Sequence, residues 1–80
     1  MNYDNILQRV IVLFSDIADT DEEITADSEL IDELGISSMD VLNMIALLEE
    51  EFKIKVSEKY IRKMSTIGDV CDVICDLISK

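Results

Sequence analysis

Residues 38–52 read SMDVLNMIALLEEEF, and the spacing of their apolar residues decides the fold. At about 100° per residue, Val41, Met44, Ile45, Leu48 and Phe52 fall on one narrow stripe of a helical wheel, the face a helix turns toward a core. Met39, Leu42 and Ala46 fall well away from it, near Asn43 and Glu50. A helix buried on one face therefore leaves a second apolar stripe in water. Asp40, Glu49 and Glu50 edge that stripe, and an apolar centre with an acidic rim is the pattern of a docking surface.

Just upstream, residues 33–39 read ELGISSM and say how the helix begins. Gly35 supplies a backbone free to turn. With Ser37 as N-cap, its side-chain oxygen can accept from the backbone N–H of Met39 or Asp40, and Asp40 suits the positive end of the helix. Ser38 then holds the first helical position with its hydroxyl free. An anionic group attached there would lie where unpaired N–H groups and the macrodipole stabilise negative charge. The geometry suits a phosphodiester, although spacing alone favours the plainer reading of two serines that only start a helix.

Outward from this helix the chain reads as more helices. Tyr3, Ile6, Leu7, Val10, Leu13, Phe14 and Ile17 recur at helical spacing from Tyr3 to about Asp16, with Asn2 as N-cap. Residues 16–37 lose that period and read as a long acidic loop pinned by Ile24, Leu30, Ile31, Leu34 and Ile36, a length that points to a functional loop. After the central helix, residues 53–56 form a turn, and Ser57 can cap a short helix through Met64. Thr66, with Asp69 three residues on, caps a last helix carrying Ile67, Val70, Ile74, Leu77 and Ile78 at helical period. The expected architecture is all-α, a small four-helix bundle of three main helices plus a short third one, with residues 1–80 forming a single domain.

Composition narrows the function. The chain is 49% hydrophobic, with no proline and two glycines, and its 18 acidic against 7 basic residues give a formal charge of −11. Nucleic acid and anionic membrane surfaces are repelled by such a field, whereas proteins with basic patches are attracted. No basic-then-apolar signal stretch opens the chain and no apolar run approaches membrane-spanning length, so the expectation is a cytoplasmic monomer. Cys71 and Cys75, four apart on one helix, read as small buried hydrophobes and not as a disulfide or metal pair. The chain lacks histidine and shows no nucleophile and base in evident pairing, which argues against an enzyme. DTDEE offers oxygen ligands, but an EF-hand loop from Asp19 would need glycine at Ile24 and glutamate at Leu30. No metal centre is expected, and only loose surface binding of divalent cations remains.

LGISSMD followed by VLNMIALLEEEF resembles the prosthetic-group segment of acyl carrier proteins, whose pattern is Leu-Gly-x-Asp-Ser-Leu-Asp and then a helix ending Leu-Glu-Glu-Glu-Phe. The likeness extends through the first helix, the acidic loop with ITADSEL, the short third helix and the closing helix after MSTI. It implies that Ser38 carries 4′-phosphopantetheine, attached by a phosphopantetheinyl transferase (holo-synthase). It also implies that Met39, Asp40, Leu42, Ala46, Glu49 and Glu50 meet acyl-loading and acyl-processing enzymes with basic patches. A fatty cargo would lie between the second and third helices, against Ile45, Leu48, Ile61 and Met64. Ser37 stands where the family has Asp, and Asn43 and Ala46 stand where a fatty-acid carrier commonly has Glu and Met. Those departures fit a carrier of specialised polyketide, peptide or envelope chemistry. The competing reading is a small acidic helical interaction module with no prosthetic group, which accounts for the charge and the exposed stripe but not for a free serine at the helix start.

Overall fold

The computed structural model describes residues 2–18 and 23–79. They contain four helices: α1 (Tyr3–Ser15), α2 (Ser38–Phe52), α3 (Glu58–Ile61) and α4 (Ile67–Ile78). The expected all-α bundle, three long helices and one short, is the fold observed. The acidic positions 19–22, on which the cation-binding reading rests, lie outside the described residues.

Each long helix starts on a side chain that replaces a missing backbone acceptor. The side chain of Asn2 accepts from the Asn5 N–H at 2.9 Å, Ser37 Oγ from Asp40 at 3.1 Å, and Thr66 Oγ1 from Asp69 at 3.1 Å. Asp69 returns the favour by accepting from the Thr66 N–H at 3.1 Å, which completes a capping box. α1 packs along α4, burying Ile6, Val10 and Phe14 against Ile67, Val70, Cys71 and Ile74. α2 closes the same core with Val41, Met44, Ile45 and Leu48, the stripe its spacing assigns, while Phe52 is half-buried. On the outer side of α1, Arg9 grips Glu51 of α2 with two hydrogen bonds of 2.6 Å, a forked geometry that holds the two helices in register.

The long connection is more ordered than its lack of period suggests. Leu30, Leu34 and Ile36 are buried in the core and Ile24 is partly buried, but Ile31 is 56% exposed and anchors nothing. Its neighbour Leu30 donates its N–H to Ser65 O at 2.9 Å, which draws that side chain inward and leaves the next one facing out. The buried Ser28 hydroxyl accepts from the Thr25 N–H at 3.0 Å, and Gly35 takes φ 67°, the left-handed conformation glycine tolerates best.

Two boundaries depart from expectation. The third helix ends at Ile61 instead of Met64, because Lys63 and Met64 donate back three residues, to Tyr60 and Ile61, in tighter turns. Ser57 precedes that helix in extended conformation without a side-chain capping bond. At the other end of α2, Lys53 adopts φ 57° as the C-cap, a position usually filled by glycine.

Candidate functional site

Ser37 sits in extended conformation (φ −74°, ψ 161°) and spends its hydroxyl on the Asp40 N–H. Ser38, one residue on, is exposed at the first position of α2. Among the described residues, the N–H groups of Ser38 and Met39 meet no acceptor. A helix start with an exposed hydroxyl and open N–H groups can hold a phosphodiester through the same groups that would otherwise bind water.

Beside Ser38 opens a cavity of about 410 Å³ lined by Glu29, Leu30, Ile31, Asp32, Ser38, Val41, Leu42, Ile61, Met64 and Ser65. Its size falls within the range of small-molecule sites. Ile61 and Met64, assigned to a cargo cavity from the sequence, line it; Ile45 and Leu48, assigned with them, do not. Those two are 4% and 1% exposed members of the central core, because the cavity lies toward the first turns of α2 and the loop, where Val41 and Leu42 face it. Leu30 and Ile31 complete the wall from a loop whose side-chain directions no helical or strand period could give.

The expected recognition residues divide. Met39 and Leu42 are 68% and 48% exposed, Ala46 and Glu50 are exposed, and Asp40 is half-buried beside Ser38. Glu49 has another task, for its Oε2 accepts from the Val56 N–H at 2.8 Å, tying the turn after α2 to the helix. Ile31 joins Leu42 at the cavity and adds an exposed apolar side chain that the sequence reading placed inside. Leu47, also exposed, lies on the opposite flank near Arg9 and Glu51; the wheel itself puts it outside the buried stripe.

Charge around the opening is uneven. The carboxyl of Glu29 is held above the usual glutamate value, chiefly by the negative charge of Asp32, then by desolvation, by its hydrogen bond with Asp32 and by Glu33. Away from the site, Cys71 is fully buried and its thiol is pushed up to about 12 by burial, then by Cys75 and Asp72. Such a thiol has almost no nucleophilic thiolate at neutral pH.

The family model described as "Phosphopantetheine attachment site" matches residues 8–74. An acyl carrier protein of Borreliella burgdorferi (strain ZS7) is 36% identical over 75 residues, which cover 92% of this chain and 94% of that protein. An acyl carrier protein of Thermotoga maritima is 33% identical over 72 residues, 89% of each chain. Among solved structures, the acyl carrier protein from Enterococcus faecalis superposes with a TM-score of 0.81 at 27% identity, covering 96% of this chain and 99% of that one.

Proposed function

The chain belongs to the acyl carrier protein family, whose members hold a 4′-phosphopantetheine prosthetic group, and on that premise we propose that Ser38 is the attachment residue. When bound, the group supplies a flexible arm ending in a thiol that carries acyl intermediates as thioesters and presents them to successive enzymes at high effective concentration. The observation that carries the reading is the exposed Ser38 hydroxyl at the first position of α2, with unpaired N–H groups and a largely apolar cavity beside it. The chain's own part is to hold and present; catalysis belongs to its partners.

Those partners are a phosphopantetheinyl transferase and acyl-loading and acyl-processing enzymes with basic patches, met in the cytoplasm. Met39, Leu42, Ala46 and Ile31 offer them apolar contact, and Asp40 and Glu50 the acidic edge. A fatty cargo would fold back between Leu30, Val41, Leu42, Ile61 and Met64. The exposed Asn43 and Ala46 leave the outer face of α2 less acidic and less bulky than the fatty-acid pattern, in keeping with polyketide, peptide or envelope chemistry. The test is intact mass after incubation with coenzyme A and a transferase of broad specificity. Gain of one phosphopantetheine is expected; no gain with several transferases would leave the chain an acidic interaction module.

A further inference from the structure

Basic residues are not scattered over this acidic chain. Lys53, Lys55, Lys59, Arg62 and Lys63 are five of its seven, and the stretch 53–63 that holds them contains one acidic residue, Glu58. All five are exposed. Arg62 pairs with Glu58 at 2.9 Å, and Lys59 lies 5.5 Å from the centre of the Tyr60 ring. Among the described residues Lys53, Lys55, Lys59 and Lys63 form no ion pair, although the chain carries 18 carboxylate side chains. Surplus anions elsewhere have not drawn these lysines in, so the patch remains available to a partner.

Its position matters as much as its sign. Arg62 and Lys63 stand between Ile61 and Met64, both of which line the cavity beside Ser38. The same cavity is bordered by Glu29 and Asp32 from the loop. Exposed Met39, Leu42 and Ile31 supply apolar contact, which is non-directional and does not fix how a partner is rotated. Acid on the cavity wall, with exposed Arg62 and Lys63 next in sequence to the lining residues Ile61 and Met64, does fix it, and the two signs penalise a partner with a single sign of charge.

Resting on the carrier reading above, we propose that residues 53–63 form a cationic half of the docking surface, which seats an acidic zone on the phosphopantetheinyl transferase that modifies Ser38. The partner's face is therefore bipolar, with a basic zone for Asp40, Glu50 and the loop and an acidic zone for α3 and the turn before it. A protein is the occupant because a net charge of −11 repels an extended polyanion such as an anionic bilayer or nucleic acid. A folded enzyme can place acid only where the lysines are.

The sign of one effect tests this. Lys59→Glu/Lys63→Glu is assayed at low salt with coenzyme A and the phosphopantetheinyl transferase of the source organism. KM for the carrier should rise roughly tenfold with kcat kept, and Lys59→Arg/Lys63→Arg should restore it. An unchanged or lower KM overturns the proposal, since a uniformly basic partner would welcome the added acid. Co-sedimentation with phosphatidylglycerol vesicles, present in the unmutated chain and lost in the double variant, overturns it in favour of a lipid surface. If the unmutated chain gains no mass, the carrier reading falls and the proposal with it; mass gain with the wrong sign in KM removes the proposal alone.

Discussion

At the start of α4 the first three backbone N–H groups are all occupied. Ile67 donates to Ser28 O at 3.0 Å, Gly68 to Ala26 O at 2.7 Å and Asp69 to Thr66 Oγ1 at 3.1 Å. At the start of α2 only the third, that of Asp40, has an acceptor, in the Ser37 side chain, among the described residues. Both helices announce themselves with a hydroxyl cap and an aspartate three residues later, yet one terminus is sealed by a loop and the other is left open. A local cap uses one of the four orphan donors; whether the others are used depends on what the rest of the chain brings to them. The sealed end stabilises the fold, and the open end is where chemistry can be attached.

Ser38→Ala should give the largest effect, complete loss of phosphopantetheine uptake by intact mass, with stability changed by less than about 0.5 kcal/mol because the side chain is exposed. Uptake by that variant would remove the functional half of the comparison. At the sealed end, Asp69 accepts from the Ser65 N–H and hydroxyl, both at 2.9 Å, and from the Thr66 N–H. Asp69→Ala should cost about 2 kcal/mol in urea titration, a charge-assisted cap being worth more than a neutral one. These bonds hold the Asp69 carboxyl below its ordinary value, the Ser65 backbone N–H first among them, against an opposing effect of burial. The unfolded chain thus binds the proton more readily over that interval, so this contribution is present above the unfolded value. It is lost as pH falls through the lower folded one. The stabilities of the parent chain and Asp69→Asn should converge in acid; a constant gap would show that the carboxylate's charge is not what caps α4.

Ser37→Ala removes one neutral cap and should lower stability by about 1 kcal/mol while uptake at Ser38 continues. A larger loss than that of Asp69→Ala would reverse the ranking of the two termini. Gly68→Ala is the finest probe, since two effects oppose. Alanine favours a helix over glycine by about 1 kcal/mol, but a Cβ at Gly68 would lie 3.0 Å from Ala26 O and 3.5 Å from Ala26 Cβ. Crowding of that kind costs about 1–3 kcal/mol, so a net destabilisation between about 0 and 2 kcal/mol is expected, with shifted amide resonances across residues 25–30. Net stabilisation would mean that the loop yields easily and that α4 is sealed less firmly than the distances imply.

The three long helices, their caps and the core stripe of α2 were legible in the sequence because each depends on residues three or four apart: Asn2 with Asn5, Ser37 with Asp40, Thr66 with Asp69, and Val41 through Leu48; the Ser57 cap expected for α3 was not found. The family pattern around Ser38 was legible for the same reason, being a short contiguous stretch. Tertiary structure alone decided that Leu30 turns in while Ile31 turns out, since the Ser65 carbonyl that directs Leu30 lies 35 residues away in the chain. It also moved the cavity away from Ile45 and Leu48, gave Glu49 to the Val56 N–H seven residues on, and stopped α3 at Ile61. A hydrogen-bonding group announces its own need in the sequence, but the partner that meets it is chosen by whichever segment folding brings within about 3 Å, and that choice separates a sealed helix end from an open one.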